Sequence, residues 1–181
     1  MTQIEEIERF VKPFYSKKDF MHDLSHIRRM LKAAFFLSKK YRVDDEIIIY
    51  GTYFHGIVHE KKSEIVDFLK SKGFSEEKIK RILQAAQSSR TRLKVFEKPK
   101  PRTIEDKILH DAHLIEGGET FLIVKSLITG TLRGQTLKET VDYMENNIIG
   151  KFKCYLPEAQ KIYEKKEKFA KDFLEKLKKN L

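Results

Sequence analysis

The chain has 181 residues, of which 40% are hydrophobic and 35% are charged, so it is long enough and apolar enough to fold as one domain. Its formal net charge is +10, and it contains one Cys and no Trp. The longest strictly apolar run, residues 33–37, is far shorter than the ~20 residues of a membrane span. The acidic N-terminus does not resemble a secretory signal, and Cys154 cannot form an intrachain disulfide. We therefore expect a cytoplasmic protein without a membrane segment.

Apolar residues recur with a helical period along nearly the whole chain. Ile27, Met30 and Ala34, for example, are spaced so that they share one face of a helix. Residues that cap helix starts precede several such segments, as Thr136 does three positions before Glu139. The pattern predicts helices at residues 2–13, 22–41, 44–59, 61–72, 75–90, 103–116, 118–128, 136–149 and 157–180. The expected fold is therefore an all-α bundle in a single domain.

The six histidines form three pairs, with spacings of four, four and three residues. The pairs are His22 with His26, His55 with His59, and His110 with His113. These spacings place both members on one face of a helix, and an acidic residue adjoins each pair. Imidazole and carboxylate groups are suitable ligands for zinc, iron, manganese or nickel, and helices of a bundle can close a metal site in their core. The pattern predicts a metal site; the alternative is that the histidines are capping or core residues.

Two other classes of hydrolase lack residues that they require. Residues 55–59, HGIVH, have the histidine spacing of a zinc protease, but Gly56 stands where the general-base Glu is needed. Cys154 is far in sequence from any His, which argues against a cysteine hydrolase. The sequence also lacks a Walker loop and a GxGxxG motif.

Three motifs, in order, resemble those of the HD-domain superfamily. Residues 22–30, HDLSHIRRM, resemble the HDxxHxxRV opening of one subgroup. Residues 50–57, YGTYFHGI, fit the position of the family's His-Asp doublet. Residues 107–116, KILHDAHLIE, resemble a helix with an Asp ligand in a D-A-D-R-L-[DE] context, with His113 in place of the second Asp. The resemblance covers roughly residues 20–128.

This resemblance implies a divalent-metal-dependent phosphohydrolase that acts on a nucleotide or another small phosphate ester. The implied fold is an HD-type domain over residues 1–181, with the C-terminal helices at 136–180 packed on the motif-bearing core. The implied metal ligands are His26, His55 and Asp111. The expected cofactor is one divalent transition metal: zinc, iron, manganese or nickel.

One ligand of the family pattern is missing, because Gly56 stands where the doublet has Asp. Losing an anionic ligand weakens cation binding and alters the pKa of bound water. His59, one helical turn after His55, is a candidate replacement, and Glu60 is another. Some relatives carry a further His in the helix at 75–90, where this sequence has Gln87, Ser88 and Ser89. We therefore expect a mononuclear or metal-free site rather than a dinuclear one.

Phosphate chemistry also needs positive charge near the phosphoryl oxygens. The candidate phosphate-binding residues are Arg29, Arg90, Arg92 and Lys94. The alternatives are a structural salt bridge for Arg29 and a solvated basic loop for the linker at 90–102. The sequence does not identify a leaving-group acid, and Glu60, His113 and Glu116 are only nominal candidates for this role.

Two other functions remain open. A degenerate HD-domain protein would bind a nucleotide, a metal or a partner without turnover, and the missing Asp at position 56 favours this alternative. A nucleic-acid partner is not expected, because no recognition signature accompanies the positive charge. The ten lysines in residues 151–181 are interleaved with Glu and mostly predict the solvent face of a helix. The sequence leaves the oligomeric state open.

Overall fold

A computed structural model describes residues 2–90 and 100–179, and within these ranges the chain forms α-helices joined by turns and loops, without strands. The helices are α1 (Gln3–Tyr15), α2 (Leu24–Ser38), α3 (Asp45–Phe54), α4 (Lys62–Ser71), α5 (Glu76–Ser88), α6 (Ile104–Ile115), α7 (Phe121–Leu132), α8 (Leu137–Asn147) and α9 (Pro157–Lys178). The predicted all-α fold is confirmed. None of these helices is long and apolar enough to cross a membrane.

Side-chain caps fix the starts of the helices that carry the site. Asp23 accepts a hydrogen bond from the backbone at the start of α2, and Asp44 does the same for α3. At the start of α6, Thr103 and Asp106 form a reciprocal capping box. Each cap satisfies backbone N–H groups that would otherwise lack a partner in the first helical turn.

Two apolar cores lie on either side of the middle of α9. The larger core contains residues of α1 to α6, together with Ala159 and Tyr163 from the first half of α9. The smaller core joins α7 and α8 to Ala170 and Leu174 in the second half of α9. The middle of α9 therefore lies where the two groups of helices meet.

Two helix ends differ from the prediction in ways that affect the site. The helix predicted at 44–59 ends at Phe54, and the chain continues through successive tight turns. The helix predicted at 118–128 begins only at Phe121, because Gly117 and Gly118 adopt positive φ angles of 75° and 78°. Glycine reaches this region of φ without steric cost, so these two residues interrupt the helical conformation between α6 and α7.

Candidate metal centre and its cavity

Three histidines, two of them buried and His113 partly buried, meet where α2, the end of α3 and α6 come together. His26 lies in α2, His55 directly follows α3, and His113 lies near the end of α6. One nitrogen atom from each lies within 4.8 Å of the other two, a spacing compatible with one metal ion. The group takes one member from each of the three histidine pairs in the sequence.

The hydrogen bonds of Ser89 determine the tautomers of two of these rings. The Ser89 hydroxyl donates its only proton to the carbonyl oxygen of Ala86, at 2.7 Å. It must therefore accept from Nδ1 of His55, which lies 2.6 Å away. Nδ1 of His113 lies 3.1 Å from the carbonyl oxygen of Ser89, which can only accept. Both rings consequently carry their proton on Nδ1 and keep a lone pair on Nε2.

The third ring, that of His26, has a carboxylate as its partner. Its Nδ1 lies 2.8 Å from Oε1 of Glu116, and this contact favours the same tautomer. A histidine that binds a metal through one imidazole nitrogen usually donates a hydrogen bond from the other nitrogen to an acceptor. In all three rings the neighbour of Nδ1 thus favours a proton there and a lone pair on Nε2, the tautomer in which Nε2 can bind a metal.

Burial keeps the three rings neutral. It is the largest cause that lowers the pKa of His26, His55 and His113, and for the last two the pKa falls well below its usual range. The positive charge of nearby Lys125 lowers the pKa of all three further. Neutral imidazole is the form that binds metals, so the group is ready for a cation at neutral pH.

Glu116 is the carboxylate that supports this group. It is 2% exposed; burial by itself raises its pKa, but His26 and Lys125 outweigh burial and lower the pKa to about 2. Nζ of Lys125 lies 2.7 Å from Oε1 of Glu116, and Nε of Arg29 lies 3.4 Å from Oε2. Glu116 is therefore ionised at neutral pH and has no proton to donate as a catalytic acid.

Arg29 makes the contacts expected of a structural salt bridge, the alternative to a phosphate-binding role. Besides its contact with Glu116, its guanidinium group lies 4.5 Å from the centre of the Phe121 ring and donates to Ser25. These contacts hold the start of α7 against α2.

Asp111, which the family resemblance implies as a ligand, is engaged elsewhere. It is fully buried, and its carboxylate accepts from the backbone N–H of Tyr155 at 2.9 Å and of Leu156 at 2.7 Å. It also lies 2.9 Å from Nδ1 of His110. Asp111 thus holds the segment that leads into α9. His113 lies two residues later, about 200° around the helix, and joins the other two histidines. It stands at the position of the second Asp in the family pattern.

His59 and Glu60, the candidate replacements for the missing ligand, lie outside the group. Both are exposed. Because α3 ends at Phe54, His59 does not stand one helical turn above His55. Ile57 and Val58 turn into the core instead, which directs the next two side chains outward.

A cavity of about 250 Å³ adjoins the three histidines. Its wall includes Arg90, Lys125 and Lys166, three aromatic residues and Glu116 as its carboxylate. The predicted phosphate-binding residues Arg92 and Lys94 lie outside the described part of the chain.

Sequence reasoning missed Lys125 and Lys166 of this wall. Lys166 falls within the lysines assigned mostly to a solvent face, yet it is 3% exposed. A signal was present in the helical period, since Lys166 stands three residues after Tyr163 and four before Ala170. A lysine within such an apolar stripe is buried together with it.

Comparisons with known proteins identify the fold. Neither the models of known families nor the curated proteins include a match to this sequence. Among solved structures, Bacillus subtilis YpgQ in complex with ADP superposes with a TM-score of 0.77 and 17% identity, over 99% of this chain and 98% of that one. An HD-superfamily hydrolase from Bacillus thuringiensis gives 0.74 and 19%, over 98% and 96% of the two chains. Lin1889 from Listeria innocua gives 0.72 and 22%, over the same shares. The chain therefore has, over almost its whole length, the all-α fold of an HD-superfamily hydrolase.

Proposed function

We propose that this protein is a divalent-metal-dependent phosphohydrolase that acts on a nucleotide or another small phosphate ester. The observation that carries the proposal is the group of His26, His55 and His113, in which the neighbours of each Nδ1 favour a lone pair on Nε2, beside a cationic cavity. The HD-superfamily hydrolase fold supports the class of reaction. The ADP bound to structurally similar YpgQ supports a phosphorylated ligand.

His26, His55 and His113 are the residues that would hold the metal. Three neutral imidazoles form a donor set that suits zinc, iron or nickel better than manganese, which favours oxygen ligands. When bound, such an ion supplies Lewis acidity toward a phosphoryl oxygen and makes water more acidic. Asp111, His59 and Glu60 are not in this set, because the Asp111 carboxylate accepts from backbone N–H groups before α9 and the other two residues are exposed.

The cationic residues of the cavity would attract and orient the phosphate. Arg90 and Lys125 both lower the pKa of His55, so their charges act close to the histidines. Glu116 fixes Lys125 through the 2.7 Å ion pair. Positive charge already in place costs no reorganisation when a phosphate binds. The aromatic side chains of the cavity, Phe121 among them, would pack against the rest of the ester.

Metal analysis of matched histidine variants tests the centre. After supplementation with zinc, iron, nickel or manganese, the wild-type protein should retain about one equivalent of metal, whereas His113→Ala should lose most of it. His59→Ala is the matched control and should retain the wild-type amount. Equal metal contents of the two variants would contradict the assignment of His113.

A screen of the metal-loaded protein against nucleotides and generic phosphate esters then tests the reaction. We expect release of phosphate from at least one compound, and a strong reduction of the rate in His113→Ala. If no compound is hydrolysed with any of these metals, the proposal that the protein is an enzyme is wrong.

Binding without turnover is the second candidate, and Gly56 is the observation that favours it. No carboxylate stands at this position, and the buried Tyr15 hydroxyl accepts from the Gly56 N–H there at 3.1 Å. Of the nominal catalytic acids, Glu60 is exposed, His113 belongs to the metal group and Glu116 is ionised. Tight binding of ADP without its hydrolysis would favour this candidate over the enzyme.

A further inference from the structure

The α9 side of the cavity carries two buried polar side chains, Tyr163 and Lys166. They stand three residues apart on one face of α9, and they are 2% and 3% exposed. Neither contacts the three histidines through a hydrogen bond. Their hydrogen-bonding capacity is only partly used within the described residues.

Lys166 is a buried cation whose hydrogen-bond partners are uncharged, and the charge of the Glu116 carboxylate also acts on it. Its Nζ donates to the carbonyl oxygens of Leu114 at 3.0 Å and of Glu116 at 2.6 Å. An ammonium group has three N–H donors, so one remains. Burial lowers the pKa of Lys166 to about 8, yet at pH 7 the group is still mainly protonated. A buried ammonium group that is hydrogen-bonded only to carbonyl oxygens can donate its remaining N–H to an anion.

Tyr163 adds a second donor beside it. Its hydroxyl is buried and makes no hydrogen bond of standard geometry within the described residues, although Glu167 lies near it. Leaving a buried hydroxyl unpaired is unfavourable. Both side chains line the same cavity, so its α9 side presents two polar groups to a ligand placed there.

We propose that Tyr163 and Lys166 form an anion-binding subsite, and that the ligand of the cavity carries two phosphates. One phosphate lies at the histidines, near Arg90 and Lys125, and the second accepts hydrogen bonds from Tyr163 and Lys166. The proposal rests on the proposed function in that it takes the occupant of the cavity to be the substrate.

Binding of inorganic phosphate and pyrophosphate to metal-free protein tests this subsite by calorimetry. Because metal is removed with EDTA, the result does not depend on the metal centre or on turnover. The wild-type protein should bind pyrophosphate more tightly than phosphate. Lys166→Met should weaken pyrophosphate binding at least tenfold and abolish the preference. The control is Lys165→Met, which changes the adjacent exposed lysine and should stay within twofold of wild type.

Tyr163→Phe separates a binding role from a structural one. It removes only a hydroxyl without a standard hydrogen bond, so thermal stability should be maintained while pyrophosphate affinity falls about tenfold. Tyr155→Phe, at an exposed tyrosine, should leave the affinity unchanged. Lys166→Arg keeps the charge and should retain more affinity than Lys166→Met.

Three results would overturn the proposal: wild-type protein that binds neither anion, Lys166→Met that binds like Lys165→Met, or Tyr163→Phe that binds like wild type. If Lys166→Met does not fold, Tyr163→Phe alone decides. Loss of metal binding in His113→Ala with intact pyrophosphate binding would separate the subsite from the metal centre.

Discussion

The hydroxyl oxygen of Tyr15 lies 2.9 Å from the point that a Cβ atom of residue 56 would occupy, and Cε1 of the same ring lies 3.0 Å from it. The ring cannot swing away easily, because Tyr15 is buried and its hydroxyl donates to the carbonyl oxygen of Tyr53 at 2.8 Å. Lys18 also donates to the carbonyl oxygen of Gly56. A side chain at position 56 therefore competes with Tyr15 for the same space.

Gly56→Ala should reduce the free energy of unfolding by about 1–3 kcal/mol, the usual cost of overfilling a packed site. In a Tyr15→Leu background the same change should cost less, because the ring that it meets is gone. Urea unfolding of the two single variants and the double variant measures this coupling. Additive effects would show that Tyr15 does not restrict position 56.

Ser89→Ala should weaken metal binding about tenfold, because it removes the acceptor that holds the His55 ring through Nδ1. The backbone carbonyl that serves His113 remains in this variant. Ser88→Ala is the matched control, since the Ser88 hydroxyl is buried without a hydrogen-bond partner. Zinc affinity measured by competition with a chelator should change only in the first variant. Equal affinities would mean that the Ser89 hydroxyl does not orient His55.

The fold could be predicted from the sequence because helical period and capping residues are local signals. The spacing of Ile27, Met30 and Ala34 specifies a buried helix face, and all three are buried in α2. Thr136 and Glu139 form the capping box that their spacing predicts. Helix ends were less predictable where tertiary packing decided them, as after Phe54.

The candidate site could be predicted only as far as local spacing allows. Local spacing singles out the three histidine pairs, and the family resemblance names His26 and His55 from two of them, but from α6 it names Asp111 rather than His113. His113 and Asp111 share one helix, and the choice between them depends on the backbone N–H groups of Tyr155 and Leu156, more than forty residues later. Such a long-range contact leaves no trace in local spacing.

Asp111→Ala should destabilise the protein by at least about 3 kcal/mol, because it leaves buried backbone N–H groups before α9 without their acceptor. Asp111→Asn, which keeps one acceptor oxygen, should cost less. Asp172→Ala, at an exposed ion pair with Lys168, should stay within about 1 kcal/mol of wild type.

The same variants distinguish a structural Asp111 from a metal ligand. Metal content per folded molecule, measured at a temperature where Asp111→Asn is folded, should equal that of wild type. If Asp111→Asn loses as much metal as His113→Ala does, Asp111 is a metal ligand.

Lys166 should make stability rise with pH in a defined window. Its pKa is about 8 in the folded protein, because burial disfavours the charged form, against an ordinary value of 10.5. Between these two values the unfolded chain binds more protons than the folded one, so the free energy of unfolding increases as pH rises. Relative to Lys166→Met, wild type should gain about 2 kcal/mol from pH 7 to pH 10. Urea unfolding at several pH values measures this difference. The difference in the free energy of unfolding between wild type and Lys165→Met should not change with pH. If the difference between wild type and Lys166→Met is also independent of pH, burial does not shift the pKa of Lys166.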